Sequence, residues 1–420
     1  MIDMDEALNI FVRQHRNDDI RQLALQASRY PDVDVRRVLV QISGWQTAVH
    51  KLPLWAERDG IWFPEHLSME QCSSQTTASY KAEVAASLLL SPTPSSSPDA
   101  TFFPPSGSSS PKSLQVTDLT GGFGVDATLL ALRLQARLCL VERNAYLCNI
   151  VRHNLPLLGV NDFAVVNADA EQVLQQLSHQ HLIFIDPARR DAHGGKTVAI
   201  ADCTPNLLQL NDLLLERAEV VMAKLSPMLD LSQAVHQLRA IRSIHIVSVG
   251  NECKEVLLVL SASATGEPDV VCVNVQGGQR SVFSARRSDE QAAVCSYAPA
   301  VRSYLYEPNA SLMKAALFKS LAQAFRLEKL HPNSHLYTSD ELHADFPGRV
   351  FAVRSVATFN KRELRQLLSG MTQANIAVRN FPLSVSDLRK RLKISEGGSN
   401  YLFATTLADD THVLVVTMKA

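Results

Sequence analysis

The sequence lacks any apolar run approaching the roughly 20 residues that a membrane-spanning helix needs. Its first stretch, MIDMDEALNIFVRQHRNDD, carries charges where a targeting segment would be apolar. The expectation is a cytoplasmic protein with no membrane partner. It also has no CxxC pair and no Cys/His cluster at zinc spacing. Cys72, Cys139, Cys148, Cys203, Cys253, Cys272 and Cys295 are scattered and odd in number, which predicts reduced, mostly buried thiols and no metal. An excess of one charge is missing too: the net of -1 does not announce a nucleic-acid binder. No internal repeat is evident.

What is present is a globular composition, 46% hydrophobic and 20% charged, in a chain of 420 residues. That length exceeds what one hydrophobic core usually organises, so several domains are expected. The neutral average conceals a gradient. Val301 to Asn400 holds 15 Lys and Arg against 8 Asp and Glu, whereas Met1 to Lys112 holds 10 against 13. An ordinary solvated surface explains this as well as a polyanionic partner does.

Residues 1–90 read as a helical region, with apolar positions at helical spacing in Ala7 to Val12, Ile20 to Ala27 and Val35 to Ile42. Residues 91–113, SPTPSSSPDATFFPPSGSSSPKS, are too rich in Pro and Ser for helix or strand and predict a linker. Over 114–285 short apolar strands alternate with amphipathic helices. That pattern calls for a doubly wound α/β domain with a Rossmann-like parallel sheet. Strands are predicted at Leu114–Leu119, Leu138–Glu142, Phe163–Asn167, Leu182–Asp186, Val220–Leu225 and Ile244–Val249. The connection GNECKEVLLVL is too short for a helical crossover, so Glu255–Leu260 should return antiparallel, an ending that suits a methyltransferase sheet better than a dehydrogenase one. From about 286 an α+β region follows, with a helix over Ala310–Phe325 and strands near Arg349–Val356, Leu402–Thr406 and His412–Met418.

The first strand runs into Asp118-Leu-Thr-Gly-Gly-Phe-Gly-Val-Asp126, a Gly-rich turn that lets the backbone approach a ligand. Gly122 to Ala127 satisfies the GxGxxA form of the dinucleotide fingerprint, so NAD or FAD is one candidate ligand. Charge favours the other. Asp118 and Asp126 would repel a pyrophosphate at the helix start, whereas S-adenosylmethionine has cationic sulfonium and ammonium groups that a carboxylate attracts. The candidate cofactor residues are Asp118, Thr120, Gly121, Gly122, Gly124, Asp126, Glu142 and Asp169. Glu142, ending the second strand, suits ribose hydroxyls in either case. Asp169 is placed for an adenine edge or, equally, for a helix N-cap.

After the fourth strand comes Ile185-Asp186-Pro187-Ala188-Arg189-Arg190-Asp191, and the carboxyl ends of strands are where such sheets bind ligands. Asp186 and Pro187 resemble the start of the Asp/Asn-Pro-Pro motif of nucleic-acid amino-methyltransferases, with Ala188 departing from it. No aromatic follows to stack a flipped base. Arg189 and Arg190 suit phosphate, or a structural pairing with nearby acids. Cys203 is read as packing, since no partnering base accompanies it.

Taken with Lys51-Leu-Pro-Leu-Trp55, Glu70-Gln-Cys-Ser-Ser-Gln-Thr-Thr-Ala-Ser-Tyr-Lys81, Gly250-Asn-Glu-Cys-Lys-Glu255, Tyr306-Glu-Pro-Asn-Ala310, Arg379-Asn-Phe-Pro-Leu383 and Arg389-Lys-Arg-Leu-Lys-Ile394, these motifs resemble the bacterial THUMP-like-domain class I methyltransferases. The resemblance spans nearly the whole chain. It implies a class I methyltransferase core using S-adenosylmethionine, a ferredoxin-like module over 286–330 and a THUMP-like module over 331–420. It also implies an RNA partner and Ser73–Lys81 as a lid on the cofactor pocket, while Asp186, Pro187 and Arg189 are the candidate catalytic residues by their place after the fourth strand. Arg389, Lys390, Arg391 and Lys393 would meet an RNA backbone; a solvated helix face is the alternative. Methylation of a protein or small molecule, and a catalytically degenerate RNA-binding adaptor, are the competing functions. The RNA, the modified atom and the oligomeric state are not read from the sequence.

Overall fold

The computed structural model of the chain describes residues 6–90, 113–189 and 200–420, so the linker expected over 91–113 lies outside the described residues, Ser113 apart. The chain divides into two compact units, Met1–Arg242 with Val256–Gly266, and Ser243–Glu255 with Glu267–Ala420.

In the first unit the amino-terminal helices are α1 (Glu6–His15), α2 (Ile20–Leu25), α3 (Val35–Lys51), α4 (Pro53–Ala56), α5 (His66–Gln71) and α6 (Gln75–Leu89). Asp19, Asp34 and Ser74 start α2, α3 and α6 by accepting backbone N–H groups of the first turn. These helices are not a separate preface. Trp55, Phe63 and Met69 share a core with Phe123, Val125 and Ile150 of the following domain.

That domain consists of β1 (Gln115–Asp118), α7 (Val125–Leu134), β2 (Arg137–Val141), α8 (Ala145–Leu157), β3 (Phe163–Val166), α9 (Ala170–Gln176), β4 (Gln180–Ile185), the short β5 (Ala188–Arg189) and β6 (Cys203–Thr204), α10 (Leu207–Arg217), β7 (Ala218–Leu225) and α11 (Leu231–Gln237). β1 pairs in parallel with β2 and β4, β2 with β3, and β4 with β7. The spatial order is therefore β3-β2-β1-β4-β7, and the winding reverses between β1 and β4. Ligands of such sheets bind outside the carboxyl ends of the strands at that reversal.

β8 (Ile241–Val249) turns into β9 (Glu252–Leu260) through Gly250 and Asn251 at φ 59° and 64°, the positive-φ pair of a two-residue hairpin. The Val256–Leu260 part of β9 runs antiparallel to β7, the return that the short connection predicts.

In the second unit β8 pairs in parallel with β10 (Asp269–Gln276), and β10 pairs antiparallel with β11 (Gln279–Ala285). After α12 (Arg287–Ala292) come β12 (Tyr304–Pro308), α13 (Ala310–Ala315), α14 (Phe318–Ala324), β13 (Glu328–Lys329), β14 (Tyr337–Ser339), β15 (Gly348–Thr358), α15 (Lys361–Leu367), β16 (Asn375–Arg379), α16 (Val385–Leu392), β17 (Tyr401–Thr406) and β18 (His412–Lys419). The strands β12 to β18 form one sheet in the order β13-β14-β12-β15-β18-β17-β16. The single helix expected over Ala310–Phe325 is broken in two. Ala316 adopts φ 58° while its N–H still bonds Leu312 O, and the turned chain carries Leu317 and Leu321 into the core. Among the described residues no helix is long and apolar enough to cross a membrane.

Candidate functional site

The turn between β1 and α7 is shaped by its glycines. A Cβ on Gly121 would lie 2.2 Å from Leu140 Cδ2, and Leu140 is fully buried on β2. Gly124 caps α7 at φ 81°, a region that L side chains avoid. Hydrogen bonds then lock the loop. Gly121 N–H donates to Val141 O at 2.8 Å and Gly124 N–H to Gly121 O at 2.7 Å. Thr120 N–H donates to Asp118 Oδ1 at 2.9 Å and Gly122 N–H to Glu142 Oε2 at 2.9 Å, while Glu142 Oε1 accepts Asn144 N–H at 2.7 Å. Asp118, Thr120, Gly121, Gly122, Gly124 and Glu142 thus meet on one turn.

Asp118 lies beneath that turn, 2% exposed. Burial, opposed by the hydrogen bonds from Thr120, pushes its carboxyl up to about 8, so near neutrality it holds its proton for much of the time. Asp169 lies exposed at the start of α9, where Oδ1 accepts Glu171 N–H at 3.0 Å. It is an N-cap, whatever else it does.

Asp186 follows β4 directly. Its N–H donates to Thr120 Oγ1 at 2.7 Å, which ties the end of β4 to the Gly-rich turn across the reversal of the sheet. Its carboxylate Oδ2 lies 2.5 Å from Lys224 Nζ, near the end of β7. Lys224 in turn donates to Ser73 Oγ at 3.3 Å, and the Ser73 hydroxyl donates to Asp126 Oδ2 at 2.7 Å. Lys81 Nζ closes the chain, 3.1 Å from Asp126 Oδ1 and 3.2 Å from Ser73 Oγ. Two ammonium groups therefore face the carboxyls of Asp126 and Asp186 around one hydroxyl.

Charges taken out of water survive only if paired and hydrogen-bonded. Burial alone would raise the Asp126 carboxyl, but Lys81, Lys224 and Ser73 outweigh it and hold the group below the usual range. Burial raises Asp186 against the pull of Lys224, although 34% of the Asp186 side chain remains open while Lys81 has none exposed. The network is sealed at Lys81 and open at Asp186.

Ser73, Lys81 and Lys224 belong to the site although no motif or spacing marks them for it; the family resemblance implies only that Ser73–Lys81 lies near it. Lys224 had a signal of its own, a lone cation in the otherwise apolar VVMAKL at the carboxyl end of a strand. Pro187 adjoins Asp186, and Arg189 pairs through its backbone with Cys203 on β6. The Arg189 side chain, Arg190 and Asp191 lie outside the described residues.

In the second unit the cations of α16 do not share one face. Arg389 turns inward, 3.6 Å from Glu396 and 3.4 Å from Ala374 O. Lys390, Arg391 and Lys393 are exposed; Arg391 lies over the Phe359 ring at 4.6 Å, and Lys393 ends the helix at φ 57°.

Comparison with known proteins adds the following. A ferredoxin-like domain model matches residues 304–347, and a THUMP domain-like model matches residues 348–419. A solved structure from Porphyromonas gingivalis W83, provisionally named a methyltransferase, is 32% identical with a TM-score of 0.83, over 99% of this chain and 98% of its own. An Escherichia coli protein provisionally named the methyltransferase yhhF is 20% identical, with a TM-score of 0.27 over 36% of this chain and 78% of its own. An RNA methyltransferase from Salinibacter ruber, in complex with S-adenosyl-L-homocysteine, is 15% identical, with a TM-score of 0.25 over 35% of this chain and 79% of its own. The last two likenesses are too partial to bear on function. No curated protein matches the chain.

Proposed function

This chain belongs to the class I methyltransferases that carry ferredoxin-like and THUMP-like domains, and from that premise we propose that it transfers a methyl group from S-adenosylmethionine to structured RNA. The observation that carries the proposal is the bond from Asp186 N–H to Thr120 Oγ1, which brings a carboxylate and a ligand-shaped Gly-rich turn together at the reversal of the sheet.

The residues of the turn fit the cofactor. Gly121 lets the turn pack against Leu140, a Cβ on Gly122 would meet nothing nearer than Thr120 O at 3.9 Å, and Glu142 at the end of β2 offers a carboxylate for ribose hydroxyls. Asp169 would meet adenine with the oxygen its cap leaves over. The charge expected of Asp118 and Asp126 is corrected by their surroundings: Asp118 is largely protonated near neutrality and Asp126 is paired with Lys81, so neither is a free anion for the sulfonium or the ammonium. When bound, S-adenosylmethionine supplies a methyl group activated by its sulfonium.

The chain's own part is alignment, because a displacement of this kind depends mainly on holding the nucleophile in line. Lys224 fixes one oxygen of Asp186, so the other is oriented to accept a hydrogen bond from the acceptor and to take up its proton. Pro187 stiffens the backbone beside it. Arg189 is assigned to an acceptor phosphate, as its forked donors suit, and Lys390, Arg391 and Lys393 to the RNA backbone. Arg389, turned inward, supports α16 instead.

One observation favours a second reading. The Lys224 ammonium already neutralises Asp186 through one of its oxygens, as expected if the core were an RNA-binding adaptor that transfers nothing. Calorimetric titration of the purified protein with S-adenosylmethionine and with NAD, followed by methyl transfer to total cellular RNA, separates the cases. Micromolar binding of S-adenosylmethionine alone, with label entering RNA, is expected. Binding of NAD would overturn the proposal, and tight RNA binding without transfer would favour the adaptor.

A further inference from the structure

Two motifs singled out in the sequence, Tyr306-Glu-Pro-Asn-Ala310 and Arg379-Asn-Phe-Pro-Leu383, have no part in the site of the first unit. In the second unit they meet. Glu307 on β12 stands opposite Arg349 on β15, and its side chain is only 5% exposed. Arg349 donates twice to Glu307 Oε2, from Nε at 2.7 Å and from Nη2. Arg379, the last residue of β16, brings Nη2 to 2.5 Å from Glu307 Oε1. In the strand order β15, β18 and β17 lie between β12 and β16, so the sheet must curl for this contact to form. Glu307 comes from the segment matched as ferredoxin-like and both arginines from the segment matched as THUMP-like.

A buried carboxylate needs a cationic partner, and one arginine would neutralise it. The second leaves a net charge of one cation. Neither guanidinium is swallowed by the fold: Arg349 is 38% exposed and Arg379 is 39% exposed. Both are nevertheless held in place. Arg379 Nη1 donates to Val378 O at 2.7 Å, and the Arg349 guanidinium lies 5.5 Å from the centre of the Phe351 ring. Two planar donors anchored at the back and open at the front lose little freedom when an anion arrives. Phosphate oxygens match their fork geometry.

We propose that Glu307 orients Arg349 and Arg379 as a two-pronged receptor for one phosphodiester group of the RNA acceptor, a contact additional to the exposed cations of α16. The inference rests on the RNA reading above, and it assigns Glu307 as a positioning residue, since the two arginines alone touch the phosphate.

The test is anisotropy of a fluorescein-labelled RNA hairpin titrated with the full chain across about 50 to 200 mM salt. Arg349→Gln and Arg379→Gln should each weaken binding about tenfold and lower the slope of log affinity against log salt by about one. The double variant Arg349→Lys/Arg379→Lys keeps both charges but loses the forks, so affinity should fall with the slope unchanged. Glutamine variants that bind within about twofold of the parent while melting earlier would make the cluster a structural lock and overturn the proposal. If they do not fold, the lysine variant decides: parental affinity overturns the proposal, and weaker binding at parental slope supports it. Should the unaltered protein not bind the hairpin even at about 50 mM salt, the RNA reading and this inference fall together. Binding by parent and all variants alike would sink this inference alone.

Discussion

Lys224 Nζ lies 2.5 Å from Asp186 Oδ2, so the carboxylate at the carboxyl end of β4 is held by an ammonium carried on the neighbouring strand. Replacing Lys224 by Met should lower methyl transfer by about a hundredfold, because an unheld carboxylate samples several orientations. Affinity for S-adenosylmethionine should change by no more than a few-fold. Lys224→Arg should restore part of the rate. Asp186→Ala should abolish turnover and spare cofactor binding. Transfer of tritiated methyl groups, alongside calorimetry, reads both quantities, and a fully active Asp186→Ala would move the chemistry elsewhere.

Glu142 accepts N–H groups from Gly122 and Asn144, one at the Gly-rich turn and one at the start of α8. Glu142→Ala removes an acceptor for the ribose as well as a brace of the turn. A loss of about tenfold to a hundredfold in S-adenosylmethionine affinity follows, from one or two charge-assisted hydrogen bonds. Circular dichroism should show the fold intact, and unchanged affinity would refute the assignment.

Asp118 has a carboxyl raised to about 8 by burial, against about 3.9 in an unfolded chain. Between those values the folded state keeps a proton that the unfolded state releases. Its contribution to stability therefore declines as pH rises from about 4 to 8 and levels off above that. Asp118→Asn keeps an acceptor for Thr120 N–H but cannot titrate. Urea unfolding at about pH 5, 7 and 9 should show the variant gaining on the parent as pH rises; a constant difference would contradict the protonated carboxyl.

Lys81 is fully buried, 3.1 Å from Asp126. Lys81→Met should cost about 3–5 kcal/mol, since it leaves Asp126 charged with only part of its support. The double variant Lys81→Met/Asp126→Leu should recover most of that loss, and a double-mutant cycle on unfolding free energies measures the difference. The Asp126 carboxyl is held below its usual range, so the stability it confers is present above that range and is lost as pH falls through the depressed value. Additive losses in the cycle would mean that the pair is not coupled.

Much of the first unit was legible because its signals are local. Strand, glycine turn and helix start follow one another within Gln115–Leu134, and backbone sterics translate them directly into β1, the turn and α7. Gly277 and Gly278, both at positive φ, mark the β10–β11 hairpin in the sequence itself, although the predicted strands end at Val249 and Leu260 and resume only near Arg349. The break at Ala316 had no such mark, because apolar positions keep their helical spacing across it.

By itself the sequence determined the doubly wound core, the return of β9, the turn at Gly122 and Gly124 and the acidic residues at strand ends, all properties of neighbouring residues obeying period and turn chemistry. Only the tertiary structure decided which charges face one another. Ser73 reaches Asp126, Lys224 reaches Asp186 and Glu307 reaches Arg379 because parallel strands and a curled sheet bring distant segments to the same end. A buried charge is tolerable only beside its partner, and that partner is chosen by topology, not by spacing along the chain.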